Sequence, residues 1–259
     1  MNIFIIGNGN LAYSLVPAIQ GAGHCVSGVY SRKNPCAIPD DADIYIICTA
    51  DAGIADAAAL LPPDKVVAHT SGCTGIDVLS GRFERCGVIY PVQTFTKGVK
   101  VDFANVPLMV ETVGFIDDDN NDNNANPIVQ LARSLSRDVR TLDSAQRRAL
   151  HLSAVFACNF VNHSIAAARL IANENGIDFS LLRPLLDETI RKATEGDPIL
   201  GQSGPAVRGD ENTMRLHEEL LARHTHLLSL YIVESMSIKD LAQKYPTGLP
   251  HPNPKNTEK

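Results

Sequence analysis

The chain lacks the marks of several protein classes. It has no cationic excess: 23 Lys and Arg stand against 29 Asp and Glu, a formal net charge of −6. A dedicated nucleic-acid or anionic-membrane binder would carry a basic face, so neither partner is expected. No apolar run approaches the roughly 18 residues of a membrane span. Met1–Ile6 is apolar, but no Lys or Arg precedes it and Gly7, Asn8, Gly9 and Asn10 interrupt it, which does not read as a signal peptide. The six cysteines (Cys25, Cys36, Cys48, Cys73, Cys86 and Cys158) are scattered, with no C-x-x-C pair. They read as small hydrophobes in a reducing cytosol, so a cytoplasmic protein is expected. What is present is ordinary: 259 residues, 44% hydrophobic and 20% charged, enough to bury a core without disulfide or metal staples.

The first half alternates strand-like and helix-like runs. Asn2–Ile6, Cys25–Tyr30, Ile44–Cys48, Lys65–His69, Gly87–Tyr90 and Val106–Glu111 read as strands. Leu11–Gly21, Ile54–Leu61 and Gly75–Ser80 read as the helices between them. Strands apolar on both faces, alternating with helices, predict an α/β fold with a doubly wound parallel sheet. Asp117–Asn124 (DDDNNDNN) is a polar loop. As a calcium loop it fails, with Asp122 where an EF-hand needs Gly and Ile128 where it needs Glu. Asn126–Ser136 reads as a helix. Beyond Ser144 the pattern becomes helical, with Ala145–Asn173, Asp178–Thr194, Asp210–Leu221 and Thr225–Gln243. The expected organisation is a nucleotide-binding domain over 1–142, an all-α domain over 143–245 and a disordered, Pro-rich tail over 246–259.

The strongest motif is Gly7-Asn8-Gly9-Asn10-Leu11-Ala12, a G-x-G-x-x-A turn between a strand and a helix. Gly7 permits the tight turn, Gly9 lets the backbone approach a pyrophosphate, and Ala12 allows close helix–strand packing. An NAD site usually carries an acidic residue about 20 positions on. This chain has none before Asp40, and its second strand ends Tyr30-Ser31-Arg32-Lys33. A hydroxyl and two cations suit a 2′-phosphate, so NADP is the expected cofactor. Thr49, Ala50 and Asp51 follow the third strand and line the same crevice, or Asp51 serves as a helix N-cap.

Two further segments end strands four and five: His69-Thr70-Ser71-Gly72 and Tyr90-Pro91-Val92-Gln93-Thr94-Phe95. His69 and Ser71 either bond cofactor or substrate, or serve their own loop as a backbone partner and a cap. In the helical half, His151, Val155, Asn159 and Asn162 share one broad face at helical spacing. His151 there is a candidate proton donor or a hydrogen-bonded core residue. Gly201–Asp210 is a Gly/Pro-rich loop in which Arg208 could grip a carboxylate and Asp210 could cap the next helix. His163, His224 and His226 lack ligand spacing, so no metal site is expected.

The order HTSG, PVQTF, HLSAVFACNF and SGPAVRGD, behind a G-x-G-x-x-A turn, resembles the Rossmann-like proteins with a DUF2520 C-terminal domain. That group is similar to the F420-dependent NADP oxidoreductase and pyrroline-5-carboxylate reductase superfamily. The resemblance spans roughly residues 1–245. It implies NADP binding and a helical domain that often pairs two subunits, but no substrate. The group's pattern carries His before the Pro of the fifth-strand motif, where this chain has Tyr90. The catalytic lysine of the related hydroxyacid dehydrogenases has no counterpart here. The resulting expectation is hydride transfer between NADP(H) and a small carbonyl or imine compound bearing a carboxylate. His151 or Tyr90 would supply the proton, with Asn159 a further catalytic residue and Ser71, Asn162 and Arg208 binding the substrate. A non-catalytic NADP sensor and a partner of the flavin or deazaflavin type are the alternatives. A homodimer through the helical domain is expected from the apolar stripe bearing Phe156 and Phe160.

Overall fold

A computed structural model describes residues 1–115 and 126–250. The DDDNNDNN loop and the end of the Pro-rich tail, 251–259, therefore lie outside the described residues. The chain divides into two compact units, one covering Met1–Phe160 and a helical one that begins at Val161. This division falls later than the 142/143 boundary suggested by pattern, because the first long helix after that boundary stays docked on the sheet.

Among the described residues the first unit holds seven strands: β1 (Asn2–Ile6), β2 (Cys25–Tyr30), β3 (Ile44–Ile47), β4 (Val67–His69), β5 (Cys86–Pro91), β6 (Leu108–Val113) and β7 (Val139–Thr141). They form one sheet in the order β2-β1-β3-β4-β5-β6-β7. Strands β1 to β5 pair in parallel. The expectation of a wholly parallel sheet is corrected at β6, which runs antiparallel to β5, with Pro91 opposite Leu108 and Cys86 opposite Val113. Only a 3-10 turn, Phe103–Asn105, lies between them, and an antiparallel return needs no helical crossover. β7 was not expected; it is three residues long, and its Arg140 and Thr141 are exposed.

Alternation along the strands fills both faces of the sheet. Ile3, Ile5, Ile44, Ile46 and Ile89 face a layer made by α1 (Asn10–Gly21) and α4 (Pro127–Leu135). Phe4, Ile6, Tyr45, Ile47 and Val67 face α2 (Ile54–Ala59) and α3 (Asp77–Ser80). Helix α1 presents buried Ala12, Leu15 and Ile19 at helical spacing. Strand β1 has β2 on one side and β3 on the other, so the chain winds away from it in both directions. Such a reversal leaves a crevice at the carboxyl ends of β1 and β3, where open α/β sheets bind ligands.

Helix α5 (Ser144–Ala154) starts with a capping box, Asp143 with Gln146. Its Leu150 packs with Leu142 against Val88, Tyr90 and Met109 at the end of the sheet. The expected uninterrupted helix over Ala145–Asn173 is corrected: Val155–Phe160 forms a π-helix before α6 (Val161–Glu174). A π segment inserts extra residues per turn, so His151 and Asn159 no longer share a face at α-helical spacing.

The second unit comprises α6, α7 (Arg183–Glu195), α8 (Pro205–Arg208), α9 (Glu211–Leu220) and α10 (Thr225–Lys244). Few of its apolar side chains are buried, whereas Leu181, Leu185, Leu220, Val233 and Met236 are all more than 60% exposed. Contrary to the sequence reading, one stretch, Ser144–Glu174, is long and apolar enough by length and composition to cross a membrane. Asn159, Asn162, His163 and Ser164 in its middle would be costly in lipid. Part of the tail read as disordered is placed: the Leu249 N–H donates to the Asp197 carboxylate at 2.6 Å.

Candidate functional site

The turn after β1 is shaped by its neighbours. Gly7 has φ +120°, and a Cβ there would overlap the Cys48 carbonyl oxygen at the end of β3. Only glycine satisfies both conditions. Its N–H donates to Tyr30 O at 2.8 Å, and the Cys48 N–H donates to Ile6 O at 2.7 Å, which locks the crevice floor. Gly9 is the N-cap of α1, in extended conformation, and no side chain caps the helix. The first turn holds no acidic residue, and Asn8, Gly9 and Asn10 are exposed. Unbonded N–H groups at a helix start are a ready anion site. Thr49 Oγ1, across the crevice, is buried without a hydrogen-bond partner. These features fit a dinucleotide pyrophosphate. Leu11 and Ala12 face inward, and Ala12 is fully buried against the sheet.

At the end of β2, Ser31 and Asn34 close a tight turn through their backbones, and Ser31 Oγ accepts the Asn34 N–H at 3.1 Å. The Ser31 hydroxyl proton stays available. Arg32 and Lys33 are exposed and form no ion pair among the described residues. Ala50 and Asp51 are exposed at the mouth of the crevice. Asp51 opens a 3-10 turn, and the helix after it, α2, has no side-chain cap.

The carboxyl ends of β4 and β5 form the second half of the site. Tyr90 Oη lies 3.2 Å from His151 Nδ1, and the two rings meet edge-on. Gly72 fits between them: a Cβ there would come within 2.8 Å of both His151 Nδ1 and the Tyr90 ring. Burial, with a smaller contribution from Cys158, pushes the Tyr90 hydroxyl above its ordinary range, so it holds its proton. The pair is separated by 61 positions in sequence, and helix α5 brings it together.

His69, read either as a cofactor or substrate contact or as a partner for its own loop, is fully buried and bonds within that loop. Its Nδ1 accepts the Ser71 N–H at 3.1 Å and its Nε2 lies 3.4 Å from Gly75 O. Burial first, and then the Arg147 charge, hold it down at about 4, so it is neutral at physiological pH. Ser71 Oγ likewise accepts the N–H groups of Cys73 and Thr74, at 3.1 and 2.9 Å. Asn159 is exposed on the π segment. Asn162 and Arg208 belong to the second unit and are also exposed, Arg208 at the end of α8. Asp210 is the N-cap of α9, accepting the Thr213 N–H at 3.1 Å. Among the described residues no cluster of three His, Cys, Asp or Glu could hold a metal. Sequence reasoning missed Arg147 and Glu111, which pair beneath this site. A Glu within an apolar strand was the available signal, since a buried carboxylate needs a cation.

A Rossmann-type sheet with an uncapped Gly-x-Gly turn defines a dinucleotide-binding class of fold. The DUF2520 model, a domain of unknown function, matches residues 115–238. No curated protein matches the chain. A crystal structure from Bacteroides fragilis, provisionally named an NADP oxidoreductase, is 32% identical, with a TM-score of 0.80, over 92% of this chain and 98% of that one. The chain belongs to the family of Rossmann-type proteins with a DUF2520 domain. More distant structures share the fold. 1-Pyrroline-5-carboxylate reductase from Streptococcus pyogenes is 13% identical, with a TM-score of 0.56, over 93% and 99% of the two chains. An imine reductase from Streptomyces aurantiacus is 11% identical, also at 0.56, over 92% and 96%.

Proposed function

We propose that this protein is an NADP-dependent oxidoreductase acting on a small carbonyl or imine compound. The observation that carries the reading is the Tyr90–His151 pair, packed against Gly72 at the carboxyl end of the sheet that bears the Gly7–Gly9 turn. The backbone of Gly7–Ala12 would hold the pyrophosphate, and Ser31 and Arg32 the 2′-phosphate. Bound there, the nicotinamide supplies hydride chemistry. The chain's own part is to hold and deliver a proton. The Tyr90 hydroxyl, kept protonated by burial, donates to His151 Nδ1 and thereby fixes the imidazole proton on Nε2. The proton needed by a developing alkoxide or amide anion comes from this pair. The names carried by the Bacteroides protein and the two reductases support this class of reaction.

The same reading includes a homodimer formed through the helical unit. Its exposed Leu181, Leu185, Leu220, Val233 and Met236 are apolar side chains that such an interface would cover. Its compartment is the cytosol, where the six unpaired thiols persist. A panel of cyclic imines and 2-oxo acids, assayed for NADPH oxidation, tests the activity. Turnover that falls at least about 100-fold in both Tyr90→Phe and His151→Ala supports the pair as proton source. Turnover retained in both variants refutes it.

A further inference from the structure

Arg147 is the largest fully buried side chain among the described residues. One of its terminal nitrogens pairs with Glu111 on β6. The other donates to the Thr74 carbonyl at 2.6 Å and to Ser144 Oγ at 3.1 Å. Ser144 closes the network. Its N–H and hydroxyl donate to Glu111 at 3.1 and 2.7 Å, and its Oγ accepts the Ile76 N–H at 3.0 Å. Three elements are thus tied by one guanidinium: the strand beside Tyr90, the loop that carries Gly72, and the first turn of α5. Nε is buried without a partner, so the terminal nitrogens alone fix the group's orientation.

A buried ion pair is a weak source of stability, because desolvation offsets the attraction. Its hydrogen bonds instead fix geometry. His151 lies four residues after Arg147 on α5, hence on the same face one turn along. Glu111 stands opposite Val88, and Tyr90 follows two residues later on β5. Any slip of α5 against β6 would move His151 relative to Tyr90. Any slip of the Thr74 loop would move Gly72, where an added Cβ would come within 2.8 Å of both rings.

We infer that Arg147 is a positioning residue: by tying Glu111, Thr74 and Ser144 together it sets the Tyr90–His151 hydrogen bond. It has no hydrogen bond to either member of the pair and acts through α5 and the Gly72 loop. The inference rests on the proposed role of that pair, but its geometry is measured separately from turnover.

The test is Arg147→Lys in the full chain. Lysine keeps the charge beside Glu111, but a single ammonium lacks the planar fork that reaches Thr74 and Glu111 together. The readout is the imidazole 15N resonances of His151, calibrated against Tyr90→Phe, which removes the hydrogen bond outright. The expected result is that Arg147→Lys moves the His151 signals toward their positions in Tyr90→Phe. NADPH affinity should stay within about twofold, and kcat should fall about 10- to 100-fold with KM little changed, the pattern of misplaced groups. A folded Arg147→Lys protein with wild-type His151 signals overturns the inference. Ser144→Ala, which removes the hydroxyl bonds but keeps the ion pair, should shift the same signals by less. If the lysine variant does not fold, unchanged His151 signals in Ser144→Ala overturn the inference instead. Shifted signals in a protein without turnover on any substrate would uphold the positioning role and refute the reading of the pair as proton source.

Discussion

Gly7 and Gly9 stand two residues apart in one turn, yet the structure assigns them separable roles. Alanine at Gly7 must adopt φ +120° and must also push its Cβ into the Cys48 carbonyl. The backbone strain costs about 1–3 kcal/mol. Relief of the overlap means parting β1 from β3, which endangers the bonds from Cys48 N–H to Ile6 O and from Gly7 N–H to Tyr30 O. At about 0.5–1.5 kcal/mol for each bond, those losses bring the expected cost of Gly7→Ala to about 2–6 kcal/mol. For a unit of this size that is a fall of about 4–24 °C in Tm. Alanine at Gly9 meets nothing closer than the Cys48 oxygen at 3.9 Å, and φ there is −83°. Its stability cost is that of a poorer N-cap, about 0.5–1 kcal/mol. The added methyl, however, stands where the pyrophosphate must approach. Thermal unfolding and NADPH titration of both variants separate the two effects. Gly7→Ala should lose stability and binding together. Gly9→Ala should keep most of its stability and lose NADPH affinity by at least about tenfold, the affinity equivalent of about 1.4 kcal/mol. A Gly9→Ala protein with wild-type affinity would refute the placement of phosphate at the start of α1. A Gly7→Ala protein with unchanged Tm would refute the steric argument.

The remaining predictions concern the other groups of the first unit. Arg32→Ala should weaken NADPH by at least about tenfold and leave NADH within about twofold, measured by fluorescence titration, because the cation serves the 2′-phosphate alone. Gly72→Ala should press on Tyr90 and His151, lowering kcat while leaving NADPH affinity intact in steady-state and binding assays. His69 is held at about 4 in the folded protein against an unfolded value near 6.5. The unfolded chain therefore binds the extra proton, so the stability contribution is complete above about pH 6.5 and is lost as pH falls toward 4, by about 3 kcal/mol in all. Urea unfolding between pH 7 and pH 4.5 should show that slope, and His69→Gln should flatten it.

Much of the nucleotide half was legible because its signals are local. The apolar run of β1, the Gly-x-Gly turn and the buried stripe of α1 lie within twenty consecutive residues. The antiparallel return of β6 was not legible: a strand's apolar pattern carries no direction, and the connection after Pro91 has only a 3-10 turn, Phe103–Asn105, and no α-helix. β7 escaped notice because two of its three residues are exposed and polar or charged. The π segment reads in sequence as an α-helix, since nothing in Val155–Phe160 marks the one widened turn. His151 and Tyr90 were each visible as candidates, but their hydrogen bond joins positions 61 residues apart and depends on how α5 docks. Arg147 sits in Gln146-Arg147-Arg148, which reads as a solvated face, and only the tertiary partner Glu111 explains its burial.

The most direct test of the account is titration of the purified protein with NADPH and NADH, read by nicotinamide fluorescence. The crevice between β1 and β3, with Ser31 and Arg32 at its edge, predicts saturable binding of NADPH and at least about tenfold weaker binding of NADH. Absence of binding by either nucleotide, or a preference for NADH, would contradict it.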